Sequence, residues 1–103
     1  MSDIYTTKHH FSTGIYAREM NMPKGYIVQT HTHKFDHISI LAKGNVIVTV
    51  NEVRTEYNAP ACIEIKAGIE HKIESLSDIT WFCVHATDEK NADNLDDVLI
   101  GKE

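Results

Sequence analysis

Gly25-Tyr26-Ile27-Val28-Gln29-Thr30-His31-Thr32-His33-Lys34-Phe35-Asp36-His37-Ile38-Ser39-Ile40-Leu41-Ala42-Lys43-Gly44 is the stretch on which the fold turns. His31 and His33 stand two apart, so on an extended strand both side chains leave one face while Thr32 leaves the other. Lys34, Phe35 and Asp36 give room for a turn, after which His37 opens a second β-prone run that ends at Gly44. Three imidazoles from adjoining strands then converge, and imidazole is the commonest metal-binding side chain.

Outward from this stretch the chain keeps the same character. Short β-prone segments at 15–20, 25–31, 37–42, 45–50, 53–57, 61–65, 71–75 and 79–86 are separated by turn residues at close intervals, the pattern of an all-β sandwich or barrel. Met22-Pro23-Lys24-Gly25 joins a fixed φ to a permissive glycine, Lys43-Gly44 breaks two apolar runs, and Asn51-Glu52 links Val50 to Val53 with Asn51 able to take a positive φ. Helical spacing is absent from 15–86. It returns at the C-terminus, where Leu95, Val98 and Leu99 follow the N-cap candidate Asp93 and precede Gly101, so a short helix is expected over 93–100. The acidic residues of 88–97 read as its solvated face. The whole of 1–103 reads as one domain, with its barrel core at 15–86.

A fourth imidazole comes from a distant strand. His71 follows the turn Lys66-Ala67-Gly68 and opens the alternating stretch that contains Ile73 and Ser75. At this point the residues resemble a known family, the cupins. Gly25, His31, His33, His37 and Gly44 match the spacing of the first cupin motif, with His37 where most members have Glu. Gly68 and His71 resemble the core of the second motif, with Lys66 in place of its Pro and Ser75 in place of its Asn. The resemblance covers about 15–86. It implies a jelly-roll barrel, commonly a homodimer in which N-terminal segments add to the partner's sheet, a part that residues before Ile15 are available to play.

Four neutral imidazoles would leave the site's charge at that of the metal, one unit higher than with the usual Glu. This favours one divalent transition metal, Fe, Mn, Cu, Ni or Zn, over Mg or Ca, which prefer oxygen ligands. Four ligands in an octahedral arrangement leave two adjacent positions open, the requirement for a bidentate substrate or for substrate and O2. On the last strand, parity puts Trp81, Cys83 and His85 on one face and Phe82 and Val84 on the other. By analogy with similar cupins the first three face the pocket, with His85 a candidate proton shuttle. The same parity also suits Cys83 as core filler and His85 at a barrel end. His9 and His10 read as exposed and incidental, and Tyr26, Phe35 and Tyr57 as packing or rim residues.

Three functions fit this reading. The first is a dioxygenase-like oxidoreductase acting on a small oxygenated molecule; the second is an isomerase or epimerase of a sugar or keto acid; the third is a non-catalytic metal barrel that binds a small ligand. Composition removes other classes. Ten Lys and Arg against fifteen Asp and Glu give a net charge of -5 without a basic patch, so no nucleic-acid partner is expected. No apolar run approaches a membrane span and the N-terminus lacks a secretory signal, so the expected location is cytoplasmic. Cys62 and Cys83 form no disulfide framework or C-x-x-C and read as free thiols.

Overall fold

The alternation of apolar and polar residues is realised as strands throughout the computed structural model, which describes residues 5–29 and 36–87. In chain order these are β1 (Thr6–Ser12), β2 (Ile15–Met22), β3 (Ile27–Gln29), β4 (His37–Lys43), β5 (Asn45–Val50), β6 (Val53–Asn58), β7 (Ala61–Ile65), β8 (His71–Ser75) and β9 (Ile79–Ala86). They build two sheets, one of five strands in the order β1-β2-β9-β4-β7 and one of four in the order β3-β8-β5-β6. Every ladder is antiparallel. From β2 onward the chain passes repeatedly between the sheets, and the long-range pairs β2–β9 and β5–β8 close the jelly-roll barrel.

The inward faces follow from strand parity. Met20, Met22, Leu41, Ile63, Ile65, Ile79 and Trp81 of the larger sheet meet Val46, Val48 and Ile73 of the smaller one in a single buried core. Burying each such aliphatic side chain contributes roughly 1.5–3 kcal/mol, which makes a slip of one residue in any strand prohibitive.

Two turns need their particular backbone. Asn51 and Glu52 both have positive φ, 50° and 68°, in the two-residue loop between the paired Val50 and Val53. A tight hairpin of this hand matches the twist of its strands; the positive φ extends to Glu52 as well as the expected Asn51. Gly44 has a φ of 83°, and a Cβ there would lie 2.5 Å from the Asp78 carbonyl oxygen and 2.8 Å from Ile79 Cγ2. Only glycine lets β4 turn into β5 against that neighbour.

β1 was not expected as a strand. Thr6–Ser12, among the residues expected to be available to a partner's sheet, pairs along its whole length with β2 of the same chain, in register from Thr6↔Asn21 to Ser12↔Ile15. All seven of its residues are exposed, so no apolar alternation marked it. β3 is shorter than the expected 25–31 within the described residues, and the helix expected over 93–100 lies outside them.

Candidate metal centre

Register across the larger sheet sorts the residues of one face into rows, which are buried or partly buried on β4 and β9 and exposed where they reach β1. Phe11 pairs with Tyr16 and Tyr16 with His85, while His37 pairs with Ile65. The next row runs His9, Arg18, Cys83, Ser39, Ile63, and the one beyond it Thr7, Met20, Trp81, Leu41, Ala61. Polar and titratable groups thus gather at one end of the barrel, with apolar packing beneath them. Trp81 shares the inward face with Cys83 and His85 as parity predicts, and it stands in the hydrophobic core with no exposed surface.

His37 opens β4 and is buried, with 6% of its surface exposed. One residue along, Ile38 pairs with Val84, which sets His37 beside His85; their ring centroids are 4.3 Å apart. The ligating atoms of His37, Cys83 and His85 all lie within 4.8 Å of one another. The Ser39 hydroxyl sits among them, 3.3 Å from His37 Nε2 and donating to Cys83 Sγ at 3.7 Å. Burial pushes the Cys83 thiol up, partly offset by the hydrogen bond from Ser39, the nearby Trp81 indole and the Arg18 charge. Its metal-free form at neutral pH is therefore the protonated thiol.

His71 belongs to the facing sheet. It opens β8 opposite Val50 and is buried, with 4% exposed. Its Nδ1 lies 3.0 Å from the Ile69 carbonyl; a carbonyl only accepts, so the proton is on Nδ1 and the lone pair on Nε2. Burial lowers its pKa, with the hydrogen bonds to the backbone of Ile69 and Glu70 opposing the shift. A neutral imidazole oriented through Nδ1 is the form in which histidine ligates a metal. The short link from Ile65, the register partner of His37, to His71 brings both to the same end of the barrel, and the Asp36 carboxylate accepts from Ala67 N at 2.8 Å across the two loops. His71 also borders an open cleft of about 490 Å3 that Gln29, Thr49, Asn51 and Glu70 help to line, a size that suits a small molecule.

Of the four histidines expected to hold the metal, His37 and His71 are thus buried on inward faces of opposite sheets. His31 and His33 lie outside the described residues. The group that the described residues themselves assemble is His37, Cys83 and His85, a different donor set from four imidazoles. The donor chemistry nonetheless fits a transition metal, since every candidate ligand is nitrogen or sulfur.

Further residues at this end escaped the sequence reading. Tyr16 is fully buried and stacks on His85 at 6.1 Å. Its hydroxyl receives a hydrogen bond from Arg18 Nε at 3.0 Å and lies 2.6 Å from His9 Nδ1. His9 therefore has a definite partner, as does His10, which meets the Glu19 carboxylate at 2.8 Å. Ser39 was legible in principle, sharing the parity of His37 and Leu41.

Comparison with known proteins agrees with this architecture. A conserved protein of unknown function from Streptococcus pyogenes superposes with a TM-score of 0.71 at 14% identity, over 86% of this chain and 79% of that one. A cupin superfamily protein from Desulfitobacterium hafniense gives 0.73 at 11% identity, over 85% and 82%. A salicylate 1,2-dioxygenase from Pseudoaminobacter salicylatoxidans, in complex with gentisate, gives 0.73 at 8% identity over 80% of this chain and 25% of its own longer one. No curated protein matches in sequence. No helix among the described residues is long and apolar enough to cross a membrane. The cupin domain family, however, matches residues 18–85, which span both sheets and every inward residue of β4, β8 and β9, and the chain belongs to that family.

Proposed function

We propose that this cupin holds one divalent transition metal through His31, His33, His37 and His71 and uses it in a dioxygenase-like oxidation of a small oxygenated molecule. The observation that carries the reading is the pair His37 and His71, both buried and one from each sheet, with His71 at the edge of the open cleft. The salicylate 1,2-dioxygenase shares this barrel, which is the direction of the proposal.

When bound, a redox-active metal supplies Lewis acidity and electron transfer to O2. The chain's own residues supply the rest. The Ile69 carbonyl orients His71, and Asp36 ties the two loops together. His85, buried against His37 and stacked on Tyr16, would take a proton from substrate and return it in this reading. The apolar rows below keep bulk water from entering through the core.

The test is metal content by elemental mass spectrometry on protein purified without chelator or nickel affinity, followed by O2 uptake of the Fe, Mn and Cu forms with small diketones and phenols. About one such ion per chain, substrate-dependent uptake, and loss of most of the metal in His33→Ala are expected. Zn or Ni without uptake would replace the oxygenase by an isomerase or a binding role. Full metal content in His33→Ala would remove the four-histidine assignment.

A further inference from the structure

We propose that Cys83, with His37 and His85, forms an alternative, sulfur-containing site for one thiophilic transition-metal ion, copper or zinc, within the larger sheet. The proposal stands on the described residues alone and does not require His31, His33 or His71. It shares His37 with the four-histidine set, so the two sites compete for a single ion there.

Geometry carries it. Donors that bind a tetrahedral ion at about 2.0–2.3 Å stand about 3.5 Å from one another. The three ligating atoms here are already within 4.8 Å, so side-chain adjustments on the order of 1 Å complete the site. All three sit on β4 and β9, adjacent strands whose ladder runs through Ser39↔Cys83 and Ile38↔Val84, and strands hold ligands more rigidly than loops. Two imidazoles and one thiolate form the donor set that, in trigonal geometry, selects copper, and with an open fourth position suits zinc.

The surroundings are built for a thiolate. As the sulfur–metal bond forms, the thiol proton leaves to solvent and the ion gives up a bound water, so the cysteine is deprotonated by the ion itself. The new negative charge faces a hydrogen bond from the Ser39 hydroxyl and the guanidinium of Arg18, the register partner of Cys83 on β2. Arg18 is in turn held by the buried Tyr16 hydroxyl at 3.0 Å. A cysteine serving only as filler would need none of these groups.

Cobalt(II) is the probe, because thiolate ligation gives it an intense near-ultraviolet charge-transfer band and imidazole alone does not. Cys62 is exposed, so the titration is made in Cys62→Ser. One equivalent of cobalt is expected to produce the band in Cys62→Ser, to produce it at least as strongly when His33→Ala removes the competing set, and to lose at least about ten-fold of it when Cys83→Ser is added. No band in Cys62→Ser, or a band undiminished by Cys83→Ser, overturns the proposal. X-ray absorption of zinc-loaded Cys62→Ser protein gives a second reading, with Cys83 and every histidine left in place. A sulfur scatterer at about 2.3 Å supports the site, and a shell of nitrogen and oxygen alone overturns it. The two sites fail separately: metal lost in His33→Ala without any band leaves the four imidazoles and removes the sulfur site, whereas a band with full metal in His33→Ala does the reverse.

Discussion

His71 is buried and Cys83 partly buried, and their environments prepare them differently. The Ile69 carbonyl fixes the tautomer of His71 and burial holds it neutral, so it needs no deprotonation to ligate. Cys83 is held protonated by burial and ligates only an ion that can displace its proton. The depressed pKa of His71 also has a consequence for stability without metal. In the unfolded chain its imidazole titrates near the ordinary 6.5, whereas in the folded chain it titrates lower. The stability this neutral group contributes is complete above 6.5 and is lost as pH falls from there through the folded value, because only the unfolded chain takes up the proton. One proton sets the limiting slope at about 1.4 kcal/mol per pH unit. Urea unfolding of the chelated protein at about pH 7.5 and about pH 5.5 is expected to show this loss, and His71→Gln to show a smaller one. Equal losses in the two proteins would mean that His71 is not the group responsible.

Among the described residues β3 has three residues and one sheet neighbour, β8, so its attachment there depends on what β8 offers. Ser75 is that anchor: its hydroxyl lies 2.6 Å from the Pro23 carbonyl and 3.1 Å from that of Tyr26, and accepts from Tyr26 N at 2.9 Å. Its own backbone bonds Gly25 and Tyr26. Ser75→Ala removes the hydroxyl's bonds to these partly buried groups, which keep their backbone partners, a cost of about 0.5–1.5 kcal/mol. The loss is expected in urea unfolding, together with faster hydrogen exchange at β3 than at β6; unchanged exchange at β3 would show that the backbone bonds alone hold it. The same position shows what the sequence could tell. Ser75 was legible as an inward residue and as a departure from the second cupin motif, but not as a partner of Pro23, because that contact depends on where a turn 52 residues earlier is laid down. β2 and β4 to β9 were readable from period-two alternation between turn residues, and β1 was not, since both of its faces are exposed. His37, Cys83 and His85 each followed from parity on their own strand. Their meeting with Ser39, Tyr16 and Arg18 did not, because it is set by register between strands far apart in the chain.

Across the whole molecule, the two modes of holding an ion differ in what they join. The proposed four-histidine set would tie β4 of the larger sheet to β8 of the smaller through His37 and His71, whereas His37, Cys83 and His85 lie on β4 and β9 within one sheet. The facing sheets pack through side chains such as Trp81, Leu41, Val46 and Ile73, so an opening that parts them exposes the core without first breaking either ladder. An ion bridging the sheets opposes that opening by its full binding free energy, about 2.7 kcal/mol when present at about 100 times its Kd, or roughly 100-fold in rate. Manganese(II) is the discriminating ion, since it favours imidazole and oxygen over thiolate. Hydrogen exchange of the manganese-loaded and chelated proteins is therefore expected to slow at β8 and β5 as well as at β4. Protection confined to β4 and β9 would mean that His71 takes no part and that the ion is held within a single sheet.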